Sequence, residues 1–597
     1  MLFNPLNKLY KTPIGSVKEG SKLCLKVKTS SNYCDILIKK DGEEFSRFSM
    51  IKSGEFFSIE LSLKVGLYFY TFNVHDNLYI VPNENLVGII SNEIGCFQLS
   101  VYSKNYSIPD WNRGGIIYQI FPDRFNRVGN IDKSLFPVYH ENLSDTPVYN
   151  PNEQGEVLNN DFFGGNFKGI IEKLPYLMAL GVTCIYLNPI FKAYSNHRYD
   201  TLNYFEIDEK LGTQKDFDEL IEKCNNYGIK IILDGVFNHC GSDSVYFDIH
   251  GKYGDSGAYN NPKSKYRKWF NFINYPKKYD CWWGIKTLPS FNKNCKEYVD
   301  FITGENGVID YWTKKGIGGW RLDVVDELPK EIVEKLRKRV KSINNDAYVI
   351  GEVWEDASNK IAYGVRRKYF LGNELDSVMN YPLKDAIISC VKKEDFSNLI
   401  KLVKEQQDHY STDVLNNLMN VLSTHDTVRL LTAIAGSDYK NKTKEELDKV
   451  YIPKENIDNA IKKLKIATFL QYFLYGIPSI YYGDEIGMEG YKDPLNRRFF
   501  NWGNENQEIL NWFKKIGQIR KDNFVFKNGV LKEIYCDKNC LVYSREDENS
   551  EVLLAVNLSD KIYKLNFNGK IKDLLTNNSY INEININKFD VIIGISE

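Results

Sequence analysis

The chain has 597 residues, too many for one ordinary domain, and typical domain sizes divide it into roughly three to five units. Its 77 Lys+Arg against 78 Asp+Glu leave a formal charge of -1, which argues against a polyanionic partner such as nucleic acid and for a neutral substrate. Aromatics make up 14% of residues, a content that suits either stacking on sugar rings or heavily aromatic cores; composition leaves both open.

The first residues, Met1 to Lys8, lack a basic segment followed by an apolar run, and no later stretch reaches the ~18–20 apolar residues that span a bilayer. The expectation is a chain with no membrane association. Eleven Cys, an odd number without C-x-x-C spacing, predict free and mostly buried thiols in a reducing compartment, hence the cytoplasm. Cys240 is expected to be a small buried filler.

Residues 1–105 alternate in short runs, such as Leu23-Cys24-Leu25-Lys26-Val27 and Leu67-Tyr68-Phe69-Tyr70-Thr71-Phe72, broken by Gly and Asn/Asp turns. This predicts an N-terminal antiparallel β-sandwich, immunoglobulin-like. In the pair Phe56-Phe57, alternation buries one ring, which favours core packing over an exposed binding platform. Residues 106–514 change to apolar strands followed by amphipathic helices, the signature of a parallel sheet. Candidate strands end near Phe121, Asn188, Asp234, Asp323, Glu352, Asn380, Ser423 and Tyr481, the eight that a closed (β/α)₈ TIM barrel requires. The long gap after the third predicts an inserted subdomain at about 240–297, rich in Gly, Tyr and Asn. Residues 515–597 return to alternation and predict a C-terminal antiparallel β-sandwich.

Reactive groups of such a barrel project from the carboxyl ends of its strands. Four ends are rich in polar residues: Asp234-Gly235-Val236-Phe237-Asn238-His239, Gly319-Trp320-Arg321-Leu322-Asp323, Ile350-Gly351-Glu352-Val353-Trp354 and Leu422-Ser423-Thr424-His425-Asp426. Carboxylates gathered with His and Arg in one cavity are costly to desolvate unless the charges are used, although a structural salt-bridge cluster is the alternative for any one of them. Glycosidic cleavage needs one carboxylate to attack the anomeric carbon and a second, protonated carboxyl to release the departing oxygen. Asp323 suits the nucleophile, because Arg321 two residues earlier lies on the same strand face and keeps it ionised. Glu352, with no Arg beside it in sequence, suits the acid/base. Asp426 is the third carboxylate. His239 and His425 are read as neutral donors to sugar hydroxyls, and no H-E-x-x-H spacing supports a zinc site.

These segments resemble the conserved regions of the α-amylase family, glycoside hydrolase family 13. Tyr118-Gln119-Ile120-Phe121-Pro122-Asp123-Arg124-Phe125 and Gly476-Ile477-Pro478-Ser479-Ile480-Tyr481-Tyr482-Gly483-Asp484-Glu485 agree with it. The resemblance covers roughly residues 110 to 510. It implies Asp323 as nucleophile, Glu352 as acid/base and Asp426 as transition-state stabiliser in a retaining double displacement. It also implies substrate contacts from His197, Tyr199, Asn238, His239, Arg321, His425 and Trp354, with Tyr199 stacking on the sugar. Retention requires the two carboxyl groups to lie about 5–5.5 Å apart, against ~6.5–9.5 Å for inversion.

The N-terminal β-domain and Thr287-Leu288-Pro289-Ser290-Phe291-Asn292 resemble the neopullulanase, cyclomaltodextrinase and maltogenic amylase group, which reads Met-Pro-Lys-Leu-Asn where this chain has Leu288 to Asn292. Asp493-Pro494-Leu495-Asn496-Arg497-Arg498 is similar to that group too, with Arg498 or Arg497 ordering the site and Arg498 counted as a substrate contact. The implied substrates are maltooligosaccharides, cyclodextrins, pullulan or starch, cut at α-1,4 links with α-1,6 cleavage left open, and with some transglycosylation. An α-glucan transferase or isomerase on the same barrel, or a catalytically silent sugar-binding relative, are the alternatives. No organic cofactor is implied. A structural calcium held by Asn126, Asn130, Asp132, Gly164 and Asn166 stands beside a calcium-free loop, and a homodimer through the N-terminal domain beside a glucan-binding or shielding role for it.

Overall fold

The computed structural model describes residues 1–596. Its centre is a barrel of eight strands, Ile117–Ile120, Cys184–Leu187, Lys230–Gly235, Gly319–Leu322, Tyr348–Gly351, Ser377–Val378, Met419–Val421 and Ile477–Tyr481. They pair in parallel in sequence order, the eighth against the first, and a single bridge between Met379 and Met419 closes the seam between sixth and seventh. Every expected strand end falls within two residues of an observed one. The third strand shows why they were legible: it is covered on both faces, so its buried run Ile231-Ile232-Leu233 is continuously apolar up to Asp234. The helix before it, Gln214–Asn226, starts at a Thr213–Asp216 capping box and buries Phe217, Leu220, Ile221 and Cys224 on one face. At the start of the fourth strand a Cβ on Gly319 would lie 2.5 Å from the Tyr348 carbonyl, so only glycine lets the fourth and fifth strands approach there.

The insertion between the third and fourth strands contains the hairpin strands Phe272–Asn274 and Lys278–Tyr279, and ends where helix Lys296–Thr303 begins. Phe291 in the divergent segment is buried, stacked on Tyr298 at 4.1 Å, so it serves the subdomain core.

The N-terminal domain has sheets of four and seven strands, antiparallel except where Phe97–Tyr102 runs parallel to Val17–Lys18. Phe3, Tyr70, Phe72 and Phe97 fill its core, and Phe57 is buried while Phe56 is only partly so, as alternation requires. This domain is fastened to the barrel by a fully buried pair, Lys11 Nζ to Asp408 Oδ1 at 2.5 Å. Removing either partner would strand a buried charge, a loss of about 3–5 kcal/mol.

The C-terminal region is the expected antiparallel β-domain. It is a single six-stranded antiparallel sheet. Strand Glu551–Asn557 is buried on both faces, Val552, Leu554 and Val556 packing into the barrel's core and Leu553 and Ala555 into a small separate cluster. That cluster is made by the domain's own strands, Ile571, Ile584, Ile586 and Ile592 among them. The expected boundary at 514/515 falls inside helix Gln507–Asp522, and the first C-terminal strand starts at Val530. Arg520 near the end of that helix is buried and donates to the carbonyls of Gly115 and Gly476, at 3.1 and 2.6 Å, and of Tyr472. Among the described residues no helix is long and apolar enough to cross a membrane, and all eleven cysteines are unpaired.

Candidate active site

Arg321 is the hub of the carboxyl end of the barrel. Fully buried on the fourth strand, it donates through Nη1 to Asp234 at 2.8 Å and to Asp323 at 2.9 Å, and its Nη2 lies 2.9 Å from Glu352 Oε2. The Asp323 contact matches expectation. The Glu352 contact overturns the reading of that carboxyl as remote from arginine: a long side chain on the middle strand reaches the ends of both neighbours, a relation that cross-strand register sets and sequence spacing does not show. One planar guanidinium therefore ties three strand ends together.

Burial pushes Asp323 well above the usual carboxylate range, Arg321 opposes the shift, and Glu352, Asp234 and Asp426 add to it. Asp426 is pushed up to about 7 by burial and by Glu352, against Arg497. Burial and mutual repulsion thus raise both Asp323 and Asp426 despite the arginines beside them, whereas Arg321 alone was expected to keep Asp323 ionised. Glu352 is fixed from two more directions, accepting the Val324 backbone N–H at 2.9 Å and the Trp354 indole N–H at 3.1 Å. Trp354 stacks on Tyr381 with centroids 3.7 Å apart and leaves 43% of its surface exposed to the cleft.

The histidines fulfil the expectation of neutrality. His197 and His239 are lowered to about 3, and His425 is held well below its ordinary range, in each case chiefly by burial. Gln119 Nε2 lies 2.9 Å from His425 Nδ1 while also donating to Asn188, which makes Nδ1 the acceptor and leaves the proton on Nε2. That Nε2 is 2.6 Å from the Tyr199 hydroxyl, which in turn donates to Asp234 at 2.8 Å. Tyr199 stacks parallel to His425 at 5.3 Å. His197 Nδ1 accepts from the Tyr199 backbone N–H at 3.1 Å, so the two partly exposed rings are set by one short loop. Asn238 is fully buried beside His239.

Of the two arginines offered for ordering the site, Arg497 lies there, and Arg498, counted as a substrate contact, does not. Arg498 turns away from the carboxylates, to Asp448 and to Thr146 Oγ1 at 2.9 Å. Arg497 instead donates to the His425 carbonyl at 2.9 Å and approaches Asp426 at 3.5 Å, anchored on Asp493 at 2.8 Å. Adjacent loop residues point in opposite directions, and no periodicity in the motif distinguishes them.

Sequence reasoning also passed over Asp234, Gln119 and the rim. Asp234 accepts from Arg321, Tyr186 and Tyr199, and its place at a strand end was the available signal. At the rim Trp282 stacks on His239 at 5.2 Å and on Trp283 at 5.3 Å, and both indoles donate to Glu327 Oε1 at 3.1 Å. They belong to the insertion that overhangs the site.

Of the five residues considered for calcium, four make hydrogen bonds within the chain. Asn126 donates to the Gly169 carbonyl at 3.1 Å, and Asn166 donates to Val128 while its Oδ1 caps helix Phe167–Glu172. The Asp132 carboxylate accepts from Ser134, Asn130 is exposed, and Gly164 donates its N–H to Asp123. Between these loops lies a cation of the chain's own: the Arg127 guanidinium donates to the carbonyls of His140, Glu141 and Phe163, at 3.1, 3.1 and 3.3 Å, and to the Tyr139 hydroxyl at 2.6 Å.

Comparison with known proteins gives a consistent result. Residues 119–526, more than half of the chain, match the model described as alpha amylase, catalytic domain. An amylopullulanase of Thermoanaerobacter thermohydrosulfuricus is 34% identical over 93% of this chain and 41% of its own length. A cyclomaltodextrinase of Thermoanaerobacter pseudethanolicus is 34% identical over 76% of this chain and 71% of its own. Among solved structures, the cyclic α-maltosyl-(1→6)-maltose hydrolase of Arthrobacter globiformis superposes with a TM-score of 0.67 at 26% identity, covering 82% of this chain and all of that one. The chain spans less than half the length of the amylopullulanases it matches.

Proposed function

The chain belongs to the α-amylase family, and from that premise we propose that it is a retaining glycoside hydrolase cutting α-1,4 and α-1,6 glucosidic bonds of maltooligosaccharides, cyclodextrins, pullulan or starch. The single observation that carries the reading is Arg321 in contact with both Asp323 and Glu352, which supports a short carboxyl separation and hence double displacement. Asp323 attacks the anomeric carbon as Glu352 passes its proton to the leaving oxygen. Glu352 then takes a proton from water, which displaces Asp323. Arg321 balances the changing charge between the two, and Asp426 with Arg497 grips the sugar hydroxyls. The neutral His197 and His239 donate hydrogen bonds to the substrate, His425 spends its one N–H on the Tyr199 hydroxyl, and Tyr199 and Trp354 supply flat faces for the rings.

Under the same proposal the enzyme needs no organic cofactor and no calcium, because Arg127 already occupies the carbonyls of the loop. Eleven unpaired thiols support a cytoplasmic location, and Phe48, Ile51 and Ile90, exposed on strands of the N-terminal domain, support a homodimer through it. The test is release of sugar from maltotriose, β-cyclodextrin, pullulan and soluble starch by wild type and Asp323→Asn, with the first-formed anomer read by proton NMR. Cleavage by wild type with α-anomer first, and a nearly dead variant, is the expected result. No release from any α-glucan, or β-anomer first, overturns the reading.

A further inference from the structure

Four residues beyond Glu352, the same loop carries a polar knot that the bond-breaking steps do not use. The Asp356 carboxylate accepts from His409 Nδ1 at 2.5 Å, from the Tyr410 hydroxyl at 2.7 Å, and from Ser358 through its backbone N–H and hydroxyl at 2.8 and 2.7 Å. The Ala357 N–H donates back to the Tyr410 hydroxyl at 3.0 Å. His409 ends helix Ser397–His409, on the side of the barrel that meets the N-terminal domain. Burial raises Asp356, but the bond and charge of His409 outweigh it and hold the carboxyl at about 2, so the pair is ionic.

The N-terminal domain grips both ends of this knot. Gln98 Nε2 donates to Ser358 Oγ at 2.8 Å while its Oε1 accepts from Asn359 at 2.7 Å. Ser16 donates its hydroxyl to the His409 carbonyl at 2.6 Å and its N–H to the Tyr410 carbonyl at 3.2 Å, and the Lys11–Asp408 pair lies beside them. Gln98 is buried, so its two bonds are made away from competing water. The loop from Glu352 to Asn359 is thus anchored by Arg321 and Val324 at the cleft end and by another domain of the same chain at the far end.

We propose that the N-terminal domain acts in cis as the support of the acid/base, with Gln98 and the Asp356–His409 pair as positioning residues that hold the loop so that Glu352 meets the leaving oxygen. The inference rests on the reading of Glu352 as acid/base. A sugar leaving group needs its proton, whereas fluoride departs without one, so a misplaced Glu352 slows formation of the glycosyl-enzyme from maltotriose and spares that from α-maltosyl fluoride.

The experiment compares kcat/KM on both substrates for the full-length wild type, Gln98→Ala, Asp356→Asn and Asp356→Glu. Because general acid catalysis contributes about 10²–10⁴-fold and small displacements erode it steeply, Gln98→Ala and Asp356→Asn are expected to lose roughly tenfold or more on maltotriose and less than about threefold on the fluoride. The basic limb of their maltotriose pH profile moves, and Asp356→Glu recovers part of the loss. Equal losses on both substrates, or none on either, overturn the proposal; Gln98→Ala, the milder change, decides the matter where Asp356→Asn does not fold. A wild type that cleaves neither substrate instead overturns the hydrolase reading beneath it.

Discussion

The backbone N–H of Val324 donates to Glu352 Oε2 at 2.9 Å, so the residue that follows one candidate catalytic carboxylate holds the other. Val324 does this from the left-handed region, at φ 39°, where a β-branched side chain is strained. Such strain costs on the order of 1–3 kcal/mol, while glycine would add about 0.5–1 kcal/mol of unfolded-state freedom. Val324→Gly keeps the N–H and is expected to leave the melting temperature unchanged or slightly raised, with activity retained within a few-fold. A melting temperature lower by several degrees would show that the turn stores no strain.

Arg497 lowers the pKa of Asp426, which burial and Glu352 place at about 7. Arg497→Met removes that cation, so Asp426 should hold its proton to higher pH. The acid limb of kcat/KM then moves upward, and activity at pH 6 falls more than at pH 8. Arg498→Met, which loses contacts to Asp448 and Thr146 only, should leave the limb in place. Matching profiles for the two variants would refute this division of roles.

If Arg127 stands as the resident cation of its loops, chelator and millimolar calcium should both leave the wild-type melting temperature unchanged. Arg127→Met removes four donor contacts to groups that then lack partners, a loss of about 2 kcal/mol or more. A saturable rise in wild-type melting temperature with calcium would contradict the assignment.

His409 is raised above its ordinary 6.5 although burial opposes the shift, because it bonds Asp356 and also faces Asp408 and Glu405. A raised histidine contributes fully below 6.5, and its contribution fades as pH climbs through the folded value. Asp356, lowered from 3.8 to about 2, contributes above 3.8 and loses that contribution as pH falls towards about 2. The pair is therefore most stabilising from about pH 4 to 6.5. The difference in melting temperature between wild type and His409→Gln should be largest there and shrink towards pH 9; a difference that does not vary with pH would argue against an ionised pair.

Strand ends such as Asp234 and Glu352 were legible because parallel strands buried on both faces run apolar until a polar residue ends them. The three histidines could be placed for the same reason or by resemblance. What lay beyond reach was lateral: that Arg321 touches Glu352, that Asp234 anchors Tyr199, and that Trp282 covers His239 all depend on which neighbours meet across strands or from an insertion. Arg497 and Arg498 are identical residue types side by side in a loop, where no period tells inward from outward.

Arg520 and Arg545 lie buried with no carboxylate among their hydrogen-bond partners, their guanidinium groups facing mainly backbone carbonyls of the turn before the last barrel strand and its surroundings. Cutting away the terminal helix and sheet would remove these guanidinium bonds and the apolar cover over them. A fragment trimmed at residue 514 would lose half a helix and both plugs, whereas one ending after the sheet keeps them. The barrel and its C-terminal sheet therefore make a single cooperative unit, and any shorter version of this chain must carry both.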